Sequence, residues 1–146
     1  MKVSVSFNIV LAAFFWVSGC GQKGEELGLK AETRSCPLYF PSENLCAEIS
    51  WLKGPSADSP SQFAVFFWNK GTGSATGPLI DPISQVGAFL RMSCCGSISF
   101  PKIEKTSMGT YSVSEIRFTP GNWEVYIQLK NGEQVDKQFV KVQLDD

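Results

Sequence analysis

The 146-residue sequence contains no histidine. That absence removes Ser-His-Asp and Cys-His nucleophilic mechanisms and every imidazole metal site. An excess of charge of one sign is also missing: 13 Lys and Arg stand against 14 Asp and Glu, with no basic block. A surface that neutralises a phosphate backbone needs such a block, so nucleic acid is not expected as a partner. The carboxylates that a His-free catalyst would use, Glu48, Asp58, Asp81, Glu104, Glu115 and Glu124, are scattered singly, and the chain is expected not to be an enzyme. Over residues 36–146 no stretch keeps apolar residues at the three-and-four spacing of a helix. What is present, 43% hydrophobic and 18% charged residues, suits one globular core.

Met1-Lys2 precedes an apolar run from Val3 to Val17, broken only by Ser4, Ser6 and Asn8, and then Ser18-Gly19-Cys20. One positive charge, an apolar run and small residues before a cleavage point form a secretory signal peptide. The run falls short of the roughly 20 residues that a spanning helix needs. Val17-Ser18-Gly19-Cys20 resembles the lipobox of bacterial lipoproteins, in which the Cys is acylated and becomes the first residue of the mature chain; the alternative is a plain signal peptide with a chance Cys. Gly21 in place of Asp implies, by the same resemblance, an anchor in the outer membrane with the domain facing the periplasm. Cleavage before Cys20 removes Lys2 and leaves 12 cations against 14 carboxylates. The expected organisation is a signal peptide at 1–19, acylated Cys20 with a Gly-rich, charged, flexible tether over 20–35, and a folded domain over 36–146.

Within that domain, aromatic and β-branched residues fall into short runs separated by Gly, Pro, Asn and Ser, a β pattern. The predicted strands are Leu45–Leu52, Phe63–Trp68, Gly87–Met92, Ser97–Glu104, Thr110–Phe118, Trp123–Leu129 and Val135–Val142. In the sixth, Trp123, Val125, Ile127 and Leu129 alternate with polar or amphipathic residues, so one face is buried. In the last, adjacent Phe139 and Val140 blur the alternation and suggest a bulge. Asn131-Gly132 between the last two strands predicts a type I′ hairpin. Seven short antiparallel strands predict an all-β, immunoglobulin-like β-sandwich, with a small barrel as the alternative. Trp51, Trp68 and Trp123 are read as core or rim packing.

Outside the cytoplasm the remaining cysteines are free to form disulfides. Cys36 and Cys46 enclose PLYFPSENL, whose prolines and Ser-Glu-Asn cluster turn the chain back, and a disulfide between them would fasten the lead-in to the first strand. Cys94-Cys95 are adjacent, so they act together only in a turn, and Gly96 provides one. With Met92 they offer one thioether and two thiols within four residues, a soft set that selects Cu(I). The alternatives are a vicinal disulfide that shapes the loop, two partly buried small side chains, or pairing with Cys36 and Cys46. A thiol-disulfide enzyme is disfavoured, because two spacer residues and a helix N-terminus are both lacking.

The segments Met92-Ser93-Cys94-Cys95-Gly96-Ser97, Pro101-Lys102-Ile103-Glu104-Lys105, Gly109-Thr110-Tyr111, Pro120-Gly121-Asn122-Trp123-Glu124 and Gln128-Leu129-Lys130 together resemble the YtkA-like and FixH-like β-sandwich domains of bacterial envelope proteins. Upstream, Cys46-Ala47-Glu48-Ile49-Ser50-Trp51 is similar to their first strand. In those domains the first segment is a Met/His loop that looks like a copper site. Here Cys95 stands in place of the His and Cys94 in place of a Gly. With the lipobox at Cys20, the resemblance thus implies a lipid-anchored binding protein taking Cu(I) through Met92, Cys94 and Cys95, beside a copper-handling or other envelope partner. The alternative is a non-catalytic structural or protein-interaction lipoprotein whose degenerate metal site is closed by a disulfide.

Overall fold

The computed structural model describes residues 35–145. The expected signal peptide, Cys20 and the tether up to residue 34 lie outside the described residues. Nine strands follow in chain order: β1 Leu38–Phe40, β2 Leu45–Lys53, β3 Ser61–Asn69, β4 Gln85–Met92, β5 Ile98–Ser99, β6 Lys102–Ser107, β7 Thr110–Ile116, β8 Gly121–Asn131 and β9 Gln134–Leu144. They pair antiparallel in two sheets, β1-β2-β3-β7-β6 and β5-β4-β8-β9. This is the expected all-β sandwich, with two strands more than the seven read from the sequence.

Alternation builds its core. Phe63, Val65 and Phe67 of β3 and Val113 of β7 face Leu90 of β4 and Val125, Ile127 and Leu129 of β8, all excluded from solvent. Phe67 meets Tyr111 edge-on at 5.7 Å and Phe40 at 6.0 Å, while Trp51 closes on Phe63 at 5.1 Å and Phe118 on Trp123 at 5.5 Å. Burying each such large side chain is worth about 1.5–3 kcal/mol.

Four local expectations need correction. β1 was not expected, because three residues are too few to display a period of two. The predicted strand Ser97–Glu104 is two strands: Leu90↔Ser99 belongs to one sheet and Lys102↔Ser114 to the other. The chain changes sheets at Phe100-Pro101, where proline has no N–H to give a ladder. The bulge expected in β9 is absent, since its pairing runs unbroken from Gly121↔Leu144 to Asn131↔Gln134. Phe139 breaks the alternation because it lies on the outer face against Tyr126, with ring centroids 5.1 Å apart. Finally, Asn131 ends β8, so the two-residue turn is Gly132-Glu133 with only Gly132 at positive φ, 60°. That is the pattern of type II′ rather than type I′.

The Gly-rich segment between β3 and β4 covers part of the first sheet's outer face. Trp68 points to that face yet is 1% exposed, because Gly73 lies against it; a Cβ at Gly73 would sit 2.7 Å from Trp68 Cβ. Asp81 pins the end of the segment by accepting the Gly109 N–H and the Lys105 ammonium, each at 2.7 Å. The ammonium first, and then the amide, lower the pKa of the Asp81 carboxyl below the ordinary 3.8.

Candidate functional site

The two cysteine pairs are separate, one at β1 and β2 and the other in the loop between β4 and β5, and do not exchange partners: Cys36 bonds Cys46, and Cys94 bonds Cys95. The first pair is the expected staple. Phe40↔Leu45 close a turn over Pro41–Asn44, in which Asn44 takes φ 53°, and this returns Cys46 to within 5.1 Å, Cα to Cα, of Cys36. Cys46 is 1% exposed and lies opposite Trp68 in the register of β2 and β3. Glu43 in the same turn accepts the N–H groups of Ile83 and Ser84 at 2.7 and 2.9 Å, tying the turn to the chain entering β4.

The second pair sits in the exposed loop Ser93–Ser97 between β4 and β5. Three backbone bonds hold this loop without any help from sulfur: Met92 N–H to Ser97 O (2.9 Å), Gly96 N–H to Met92 O (3.0 Å) and Ser93 N–H to Asn122 O (2.9 Å). Gly96 adopts φ 70°, which an L side chain would resist. Met92 pairs with Trp123 on β8 and is half-buried, its methyl lying over Gly121, where a Cβ would stand 3.0 Å away. The Cys95 sulfur lies 3.7 Å from the Met92 thioether, a contact between sulfurs rather than a donated hydrogen, because a disulfide sulfur carries no proton. Met92, Cys94 and Cys95 therefore converge at one end of the sandwich. A cleft of about 610 Å³ adjoins the loop, lined by Ser93, Asn122, Trp123, Glu124 and Lys141 among others.

With the bond closed, only the Met92 thioether is a ready donor. Opening it exposes two thiols beside that thioether, a three-sulfur set suited to Cu(I) and poor for hard ions. Among the described residues no three His, Cys, Asp or Glu side chains gather into a metal cluster, so a site here rests on Met92. The carboxylates stay apart: Glu104 pairs with Lys102, Asp81 with Lys105, and Glu124 accepts the Tyr126 hydroxyl. The sequence reading missed the contribution of Asn122. Its carbonyl joins the Met92 loop to the Pro120–Glu124 turn, a contact between segments some thirty residues apart that only the β4–β8 register creates. No family model matches the chain, and no curated protein matches it.

Proposed function

We propose that the protein is a lipid-anchored envelope protein, acylated at Cys20 and held at the outer membrane with its sandwich facing the periplasm, that binds Cu(I) through Met92, Cys94 and Cys95. The observation that carries this reading is the convergence of three sulfurs on one exposed loop, with Cys95 3.7 Å from Met92. The resemblance to YtkA-like and FixH-like domains belongs to the same reading: the Met loop and the Pro-Gly-x-Trp-Glu turn, which carry much of it, are neighbours through Met92↔Trp123 and Ser93 N–H to Asn122 O. A copper-handling envelope protein is the corresponding partner.

Binding requires the closed loop to open. A dithiol reductant breaks the bond between the Cys94 and Cys95 sulfurs, each sulfur gains one hydrogen, and the reductant leaves as its own disulfide. The thiols then lose their protons as they become ligands, while the backbone bonds of the loop keep the sulfurs near Met92. Bound Cu(I) would be the cargo of a role in copper handling or envelope metal homeostasis.

The test is Cu(I) titration of the dithiol-treated full chain in detergent, after removal of the reductant, against a competing chelator. Cys94→Ser with Cys95→Ser should weaken binding by about a hundredfold or more, and Met92→Leu by about tenfold, the equivalent of 1.4 kcal/mol. Affinity unchanged in the double variant overturns the proposal. One observation favours a second reading, a non-catalytic interaction lipoprotein: Cys94 and Cys95 are bonded to each other. Mass spectrometry of envelope-isolated protein separates the two, since a bond that persists through mild reduction, with no metal, supports the second.

A further inference from the structure

The outer face of the β5-β4-β8-β9 sheet combines a continuous row of rings with a surplus of cations. Four rings cross it as a row, Phe100, Phe89, Tyr126 and Phe139, at successive centroid spacings of 6.4, 4.5 and 5.1 Å. Phe100 is 78% and Phe139 42% exposed, and Ile98 and Val135 extend the apolar margin at 56% and 46%. The strand register sets cations around this row: Arg91↔Glu124↔Lys141 on one side, with Lys137 and Lys130 on the other. Among the strand positions of this face four cations thus stand against one carboxylate, which is engaged by the Tyr126 hydroxyl at 2.8 Å, with Glu133 and Asp145 beyond them at the two ends of β9. The whole chain, by contrast, carries a net charge of −1. The outer face of the other sheet is more mixed: Glu48, Ser50, Gln62, Glu104, Ser112 and Ser114 stand among Lys53, Lys102, Phe66 and Tyr39, with Lys70 over the Tyr39 ring, and no row of stacked rings crosses it among the described residues.

We propose that this aromatic and cationic face docks on an anionic phospholipid bilayer. Aromatic rings and the long stems of Lys and Arg suit the region where acyl chains meet headgroups, and each cation near an anionic surface strengthens binding roughly fivefold. The ring geometry favours lipid over a polysaccharide. Phe89 and Tyr126 stack with planes 5° apart, at about the spacing of neighbouring strands, so their faces meet each other and their edges point outward. Sugars stack on exposed ring faces, whereas an edge inserts among acyl chains. Docking through this face would bring the Met92–Ser97 loop, which joins β4 to β5, close to the membrane surface. The inference does not depend on copper, nor on whether an acyl group or the apolar leader holds the chain to the bilayer.

The test reconstitutes the full chain in vesicles containing bromine-labelled lipid and measures Trp quenching as the increment over the parent chain. Phe139→Trp should lose more than half its added emission in vesicles containing phosphatidylglycerol, and much less in pure phosphatidylcholine. Ser112→Trp, on the opposite face, should be unaffected in both. Adding Arg91→Glu, Lys137→Glu and Lys141→Glu should bring Phe139→Trp down to the Ser112→Trp level, with circular dichroism confirming an intact sandwich. Equal quenching at positions 139 and 112, or equal quenching in the two lipids, overturns the proposal. So does shielding of Phe139→Trp by soluble polyglutamate without bromolipid quenching, which assigns the face to an acidic polymer.

Discussion

Removing the Cys36–Cys46 disulfide with Cys36→Ala and Cys46→Ala should cost about 3 kcal/mol, whereas removing Cys94–Cys95 should cost almost nothing. The first bridge joins residues ten apart, and constraining a loop of that length in the unfolded chain is worth about 2.7 kcal/mol. Cys46 is also buried opposite Trp68, so loss of its sulfur leaves a small void that adds up to about 1 kcal/mol. Against a total stability of about 5–15 kcal/mol this is a large fraction, and it lowers the melting temperature by roughly 12–16 °C. The second bridge joins adjacent, exposed residues and constrains almost no chain, and the loop around it is held by three backbone hydrogen bonds. Cys94→Ser with Cys95→Ser should change stability by less than about 0.5 kcal/mol. Non-reducing urea unfolding followed by Trp fluorescence measures both. The first variant should also show a steeper denaturant dependence, because its unfolded ensemble is released from the cross-link. A cost below about 1 kcal/mol for the first pair, or equal costs for the two, would refute the assignment of staple and exposed loop.

Asp81 predicts a pH dependence. Its folded pKa is depressed, mainly by Lys105, so its contribution is present above the unfolded value, about pH 4, and is lost as the pH falls through the lower folded value. Asp81→Asn should therefore flatten the acid side of the stability curve below about pH 4; urea midpoints with the parent's acid slope would contradict this. Gly109 adopts φ 63°, and a Cβ there would stand 2.7 Å from Ile80 N and 2.8 Å from Ile80 O. These are backbone atoms that cannot rotate away, so Gly109→Ala should cost about 2 kcal/mol or more. An unchanged melting temperature would show that the segment ending at Asp81 yields without penalty.

Much of the fold was legible because it is written in local periodicity. Trp123, Val125, Ile127 and Leu129 alternate, and they are the buried side of β8. The Cys36–Cys46 staple was readable from a short enclosed loop rich in turn residues. Neither β1 nor the change of sheets at Phe100-Pro101 was legible, because three-residue and two-residue strands carry too little pattern and exist through the partners that long-range pairing brings to them. Phe139 illustrates the same boundary. Beside Val140 it suggested a bulge, but across the register of β8 and β9 it is one ring of an outer aromatic row.

The sequence by itself determined the amounts and types of chemistry: no imidazole, sulfur at residues 20, 36, 46, 92, 94, 95 and 108 after the initiating Met, and a strand pattern that calls for an all-β core. Tertiary structure decided which of these meet. It divided the domain cysteines into a staple anchored on buried Cys46 and an exposed vicinal pair, set Cys95 beside the Met92 thioether, and gathered Arg91, Lys130, Lys137 and Lys141 around four rings on one face. The reason is geometric. Alternation assigns each residue to a face, but which residues become neighbours on that face depends on strand order and register, which the whole sandwich sets in burying its core.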